Sequence, residues 1–256
     1  MQSNLDKREN YLVDKITIFE DSTNFTNTSF IYDNNNLVKR ITKGKFVENR
    51  QVREKEYIDE LEYTNGLVSK IRFRDLTYFM TSHELHLFYN SKKQILRVET
   101  WMNNTKIGHQ NFHYLDNKMV SIYTDGSKPF EKNTLYYDNS GNLIKQLYRI
   151  PKTDLTGNPI PGEFIDWNFI YEYDNKSKPN IGLDYLFIYT PFQNLGTETG
   201  YARELSNCNL TKYQNSGTTW SYEYNDVGLP ISCEMKWSGI QTLKPMIWNI
   251  TYKKIN

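Results

Sequence analysis

Alanine occurs once in the 256 residues, at Ala202. With the strongest helix former all but missing, helix is expected to stay a minor component. Long apolar runs are missing too: no stretch approaches the roughly 18 to 20 residues of a membrane helix. No charged-then-apolar secretory segment opens the chain, which places it in the cytoplasm or starts it after a removed signal. A lipid-embedded barrel needs strands of about 9 to 11 residues with a continuously apolar outer face. Lys39, Lys70, Arg72, Arg97, Glu99 and Lys145 put charge on both faces of the expected strands, and mean hydropathy is −0.72. The expectation is a chain that does not span a membrane.

An excess of one charge is also lacking. Lys plus Arg number 31 against 30 for Asp plus Glu, a net charge of +1, with no basic run. Nucleic-acid affinity rests on neutralising phosphates with a concentrated positive stripe, so no nucleic-acid partner is expected. Only two cysteines occur, Cys208 and Cys233, in no metal-ligand spacing. In a meander they fall on strands separated by one other strand, beyond comfortable disulfide reach, so two free thiols are expected.

The catalytic fingerprints are missing as well. There is no Gly-x-Ser-x-Gly elbow, no Gly-x-x-x-x-Gly-Lys phosphate loop and no Gly-x-Gly-x-x-Gly motif. No cofactor is expected. His83, His86, His109 and His113 cluster in sequence, yet strand alternation gives only 109 and 113 a shared face. A zinc site needs three or four converging ligands. Asp59 with Glu62, Glu163 with Asp166, and Glu198 with Glu204 are the acid pairs a glycosidase cleft would need at about 5 to 10 Å. Any charged β protein offers such pairs, and solvated strand faces account for them.

What the chain has is aromatic residues, with 20 Tyr, 13 Phe and 5 Trp, arranged in a recurring unit. Seven times an aromatic stretch ends in Tyr, crosses a short Asn/Asp/Gly/Lys turn and resumes with an aliphatic residue or Met. The repeat tyrosines are Tyr32, Tyr63, Tyr89, Tyr114, Tyr137, Tyr173 and Tyr224. β-branched and aromatic residues favour strands, and Asn, Asp and Gly tolerate the left-handed backbone of a tight turn. Each unit is therefore a hairpin. Rows of these tyrosines are expected to form cross-strand ladders rather than ligand platforms.

The repeat spacing is irregular, which indicates a meander with variable loops rather than a solenoid of constant period. The expected fold is all-β: one domain over residues 1–256, an antiparallel hairpin meander of about 12 to 18 strands curled into a barrel or half barrel. Glu48 to Glu62, the most helix-like segment, lacks a continuous apolar stripe and is read as a hairpin arm. Pro151 to Gly162, with three prolines and two glycines, reads as a loop. Pro191 to Gly200 is a second loop, and it carries Phe192 and Leu195 where polar residues are usual. Phe192, Gln193, Asn194 and Leu195 are therefore the candidate contact residues, with a plug packed on the core as the plainer alternative.

The unit Tyr-Asp-Asn-x-Gly-x-Leu, clearest at Tyr137 to Leu143, resembles the tyrosine-aspartate hairpin repeats of bacterial surface proteins. Together with Leu205-Ser-Asn-x-Asn-Leu-Thr-Lys212 and Tyr222-Glu-Tyr224-x-x-x-Gly228-x-Pro230, it also resembles an uncharacterised Bacteroidetes domain family with a porin-like β fold. The Tyr-Asp pair is missing from the copies at Tyr63, Tyr89 and Tyr114. That resemblance implies an extracytoplasmic setting, in periplasm or at the cell surface, and the lipid anchor of a secreted lipoprotein on a removed amino-terminal signal. It transfers no catalytic residue. A noncatalytic envelope module binding glycan, peptide or lipid is the functional expectation. The rivals are a structural scaffold without small ligand and a polysaccharide-acting enzyme. An open aromatic groove, a filled interior and a cleft with paired carboxylates would distinguish the three.

Overall fold

The computed structural model describes residues 11–75, 83–116, 118–124, 130–179, 202, 205–238 and 244–255. Every element is a strand: β1 (Tyr11–Phe19), β2 (Phe25–Tyr32), β3 (Val38–Val47), β4 (Arg50–Thr64), β5 (Leu67–Asp75), β6 (His83–Tyr89), β7 (Ile95–Met102) and β8 (Thr105–Leu115). They continue as β9 (Lys118–Thr124), β10 (Phe130–Tyr137), β11 (Leu143–Thr153), β12 (Pro159–Ser177), β13 (Cys208–Tyr213), β14 (Thr218–Tyr224), β15 (Pro230–Lys236) and β16 (Met246–Lys254). Each strand pairs antiparallel with its sequence neighbour, and β1 pairs with β16, so the sheet closes into a sixteen-strand barrel. Closure is what a meander of this length requires, since a twisted open sheet of so many strands leaves two long edges uncovered.

All even-numbered strands run toward one rim and all odd-numbered strands start from it. The apolar core begins there. Val13, Val38, Val68, Ile95, Met119, Leu143 and Leu210, each near the start of an odd strand, are buried. One layer further in lie Ile41, Leu61, Ile71, Leu85, Val98, Phe112, Leu135 and Cys233. The segment 48–62 is the turn and descending arm of the β3–β4 hairpin, as its charge pattern indicates. Both cysteines are free, Cys208 on β13 and Cys233 on β15, with β14 between them.

One turn recurs five times, at Asp33–Leu37, Asn90–Gln94, Asp138–Asn142, Asp154–Asn158 and Asn225–Leu229. The first residue's N–H donates to the fifth's carbonyl, and the fourth's N–H donates to the first's carbonyl. The first side chain's Oδ1 then accepts the N–H groups of the third and fifth residues. An Asx side chain is the shortest group that can do this, which explains the Asp or Asn after Tyr32, Tyr89, Tyr137 and Tyr224, and after Thr153. The fourth residue has positive φ in all five, and is Gly at 141, 157 and 228, Asn36 and Lys93 elsewhere. These are five-residue turns. The two-residue hairpins with two left-handed residues sit at Glu48-Asn49, Asn65-Gly66 and Asn103-Asn104.

The stretch Pro151 to Gly162 departs from the loop expected of it. Pro151 lies in β11 and Pro159 to Gly162 in β12, and only Asp154–Asn158 turns. Proline is tolerated because no third strand among the described residues pairs there and asks for its N–H, and a register shift between Pro151 and Thr153 absorbs the mismatch.

Candidate functional site

The tyrosine at the foot of each even strand points inward against the apolar core: Tyr32, Tyr63, Tyr89, Tyr114, Tyr137, Tyr173, Tyr222 and Tyr252. These strands are not neighbours, so the tyrosines are no cross-strand ladder. Their hydroxyls serve the backbone instead. Tyr32 donates to the Val13 carbonyl, Tyr63 to Val38, Tyr89 to Val68, Tyr173 to Leu143, Tyr222 to Leu210 and Tyr252 to Pro230, all at 2.6–2.8 Å. Each acceptor belongs to the preceding strand, at or near its start. A buried carbonyl left without a donor would cost about 1–3 kcal/mol, which is why the repeat uses Tyr and not Phe. Burial raises the phenol pKa of Tyr32, Tyr63, Tyr137, Tyr173 and Tyr252 well above its usual value. Two details escaped the sequence reading. In the last full unit the inward tyrosine is Tyr222 and not Tyr224, whose hydroxyl goes to Asp174 and Asn209. Tyr252 is an eighth copy with no turn after it.

The contact residues Phe192, Gln193, Asn194 and Leu195 lie outside the described residues. The chain that follows them docks on the tyrosine rim. Ala202 is buried, and its carbonyl accepts a second bond from the Tyr173 hydroxyl at 3.1 Å. Ser206 Oγ accepts the Leu143 N–H at 2.9 Å, and Asn142 Oδ1 accepts the Cys208 N–H at 2.9 Å. Asn207 Nδ2 donates to the Ser140 carbonyl at 2.8 Å, so close that any Cβ at Gly141 would collide with it. Among the described residues these rim groups are hydrogen-bonded to one another.

The acidic pairs come apart. Asp59 faces inward, opposite Ile41 and Phe73, while Glu62 faces outward and pairs with Arg72 at 2.5 Å. Burial raises the Asp59 carboxyl to about 6 against the opposing effect of Lys43, 3.9 Å away. Glu163 and Asp166 also point to opposite faces, each held by its own cation: Glu163 by Lys152 at 2.7 Å, Asp166 by both Arg149 nitrogens at 2.7 and 2.8 Å. Glu198 and Glu204 lie outside the described residues. The histidines do not converge either. His83 faces inward with Phe73 and Met102, whereas His86 faces outward, stacked on Trp101 at 5.1 Å and bonded to Glu84 at 2.9 Å. His109 is outward opposite Glu99, with its pKa lowered by burial and by Lys106 and Arg97. Among the described residues no group of three or more His, Cys, Asp or Glu could hold a metal.

The outer face of β3 to β8 is a chain of ion pairs. Glu60 takes Arg40 at 2.7 Å and Arg74 at 2.9 Å, and Glu84 takes Arg72 at 2.9 Å and Lys70 at 3.3 Å. Burial opposes ionisation of Glu84, yet bonds from His86, Arg72 and Lys70 bring it down to about 2. Glu99 is enclosed by Arg97, Lys106 and the Trp101 indole N–H. On the inner face, Gln146 and Asn133 bond to each other at 2.8 Å, and the Tyr171 hydroxyl bonds Gln146 at 3.0 Å. Gln110, 0% exposed, has no hydrogen-bond partner for either side-chain amide atom among the described residues.

At the opposite rim the β11–β12 hairpin continues beyond its neighbours. Pairing with β10 reaches only Tyr148, and pairing with β13 reaches only Tyr171. Among the described residues, 149–168 therefore pair only with each other, as an arm of two strands. Its exposed apolar residues are Leu155 at the tip, Phe164, Ile165 and Trp167, the last 52% exposed. Ile150, Ile165 and Trp167 share the face continuous with the barrel interior, while Phe164 lies outside beneath the Arg149 guanidinium, 5.4 Å away. Large apolar side chains on a projecting, two-sided element form an exposed surface of the kind that meets a partner.

No family model matches the chain, and no curated protein matches it. Among solved structures it is similar to a porin-like protein from Bacteroides uniformis, with 10% identity over 94% of this chain and 98% of that one and a TM-score of 0.42. No helix of the described residues is long and apolar enough to cross a membrane.

Proposed function

We propose that this chain is a noncatalytic cell-envelope β module that binds glycan, peptide or lipid through its projecting β11–β12 arm. The observation that carries the reading is that Leu155, Phe164, Ile165 and Trp167 are exposed on an arm whose residues 149–168 pair, among the described residues, only with each other. A noncatalytic role is supported by the separation of the described carboxylate pairs onto opposite faces. The extracytoplasmic setting rests on the hairpin-motif resemblance, with a lipid anchor as its means of attachment.

The barrel is read as standing clear of the bilayer. A membrane barrel needs an apolar outer band about 25 Å tall, and Arg or Lys at its midplane costs about 2–4 kcal/mol each. Here the middle of β3 to β8 carries Arg40, Lys70, Arg72, Arg97 and Lys106 outward, while the apolar core lies inside and the outer face also exposes Ile31, Phe88, Leu96, Leu115 and Ile144 toward the tyrosine rim.

The test is an array of immobilised envelope glycans, peptides and lipid vesicles probed with the parent and with Leu155→Ser combined with Trp167→Ala. Capture of one class by the parent, lost in the variant at unchanged melting temperature, is expected. Equal capture by both proteins would remove the arm from the contact site.

A further inference from the structure

The outer wall at the tyrosine rim interleaves apolar side chains with cations from β6 to β11, and the geometry points to the surface of an anionic phospholipid bilayer as what this sector rests on. The inference goes beyond the reading of the arm and does not depend on it. It begins with two bulges. Tyr89 pairs with Ile95 and Phe88 with Arg97, so Leu96 is the extra residue, and Leu96 and Arg97 both point outward between the buried Ile95 and Val98. The β10–β11 hairpin repeats the device: Tyr137 pairs with Leu143 and Tyr136 with Lys145, which turns Ile144 and Lys145 outward together. Phe88, one residue before the inward Tyr89, and Leu115, one after the inward Tyr114, take the outer face by alternation. Phe88, Leu96, Leu115 and Ile144 are 40–57% exposed.

Cations lie among them. Lys118 pairs with Leu115 on one side and with Tyr136 on the other, and Tyr136 pairs in turn with Lys145. The two ammonium groups sit 5.4 and 5.5 Å from the centre of the Tyr136 ring, and the Arg97 guanidinium lies 5.6 Å from that of Phe88. Lys92 is exposed in the turn between β6 and β7. Of the acids in this sector, Asp138 is engaged by its own turn, and Glu99 is held by Arg97, Lys106 and Trp101. Asp116 is exposed. The balance is positive, and a long lysine stem beside apolar groups lets its ammonium reach a phosphate while the stem stays in an apolar layer.

Depth and curvature favour a bilayer surface over a protein. The next outward positions on β6, β7 and β8 are His86, Glu99 and His113, about 7 Å further from the rim. Beyond them Glu84 is tied to His86, Arg72 and Lys70. Apolar contact therefore ends after one layer, within the roughly 5–10 Å to which interfacial elements sink, and the barrel walls stay clear of the hydrocarbon. The wall of a closed barrel is convex from β6 to β11. Fluid headgroups conform to a convex edge, where a protein partner would need a matching hollow. Seating this rim on the bilayer directs the β11–β12 arm away from it, because the arm leaves from the opposite rim.

The test floats the full chain on a sucrose gradient with phosphatidylcholine vesicles, either pure or containing phosphatidylglycerol. The parent is expected to rise with the anionic vesicles and to stay below the neutral ones. Lys118→Gln with Lys145→Gln should weaken anionic binding about thirtyfold, the effect of two interfacial charges. Phe88→Ser with Leu115→Ser should weaken it at least about tenfold, and both variants should melt as the parent does. A parent that does not rise with anionic vesicles overturns the inference, and so do variants that rise equally well. A parent that ignores vesicles yet binds soluble polyglutamate through the same lysines assigns the sector to an acidic protein and also overturns it. Leu155→Ser with Trp167→Ala should float as the parent does. If that variant alone stops floating, the lipid contact belongs to the arm and this inference falls while the arm reading stands. If flotation survives while the array shows no arm dependence, the arm reading falls and this inference stands.

Discussion

The turns at Asp138 and Asp154 are held by the same four backbone N–H bonds, yet they sit in opposite surroundings. Around Asp138 the returning chain packs Ala202, Ser206 and Asn207 onto the rim, and Tyr173 closes over it. Around Asp154 no other described residue packs: the turn ends an arm whose tip residue, Leu155, is fully exposed. The same local chemistry thus serves a sealed end and a projecting one, and the difference lies in what the flanking strands bury. Conserving buried carbonyls in hydrogen bonds stabilises the rim. The arm, among the described residues, is held by the β11–β12 pairing alone.

The widest test of the comparison is alkaline. Rim phenols are protonated in the fold with their pKa values raised by burial, so the folded state holds protons the unfolded chain has already released. Their stabilising contribution is intact below about pH 10 and is lost as pH rises through the raised values. A cooperative loss of far-ultraviolet circular dichroism coincident with tyrosinate absorbance is expected. Tyrosinate appearing gradually before unfolding would mean the rim is open.

Next in size is a pair of substitutions, one on each side of the comparison. Tyr63→Ala is expected to cost about 3–5 kcal/mol in urea denaturation and Tyr63→Phe about 1–3, the latter isolating the bond to the Val38 carbonyl. Trp167→Ala on the arm should stay within about 1 kcal/mol, since most of its neighbours are solvent. Equal costs would erase the distinction.

Asp59 lies inside the barrel, away from the tyrosine hydroxyls, and separates pH effects in the lumen from those at the rim. Its carboxyl is raised from its ordinary value to about 6 in the fold, so the folded state binds the extra proton between about pH 4 and 6. Stability should fall as pH rises through that window, by up to about 3 kcal/mol on the scale of 1.36 kcal/mol per pKa unit. Asp59→Asn should flatten this fall in thermal melts taken from pH 4 to 7, and a parent whose melting is already flat there would contradict the buried acid. Smaller again is Gln110→Leu, expected to stabilise by about 1–2 kcal/mol by removing an amide that finds no partner among the described residues. A lower melting temperature would show that the amide is satisfied.

Much of this fold is legible in the sequence because its information is local. Asp33, Asn90, Asp138 and Asn225 specify their turns with their own side chains, and the tyrosine before each marks a strand end. The tyrosine's role is not local: the Tyr63 hydroxyl reaches a carbonyl 25 residues back, and only register reveals that. Tyr252 was missed because no turn follows it, and Tyr222 because Tyr224 stands nearer the turn. The separation of Asp59 from Glu62 follows from an odd spacing on a strand and was readable. The arm was not, because Pro151, Pro159 and Pro161 read as breaks in a chain whose neighbours are unknown. Where no third strand pairs among the described residues, the same prolines are compatible with extended backbone.

Native-state hydrogen exchange along β12 tests the division between sealed rim and open arm most directly. The account predicts that the Ile165 and Trp167 amides, which face β11, are protected, that Asp166 and Asn168, which face away from β11, exchange much faster, and that Val38 and Leu143 near the rim exchange only with global unfolding. Uniform protection from Phe164 to Ile170 would mean the edge is already covered, and fast exchange at Val38 and Leu143 would mean the rim is not sealed.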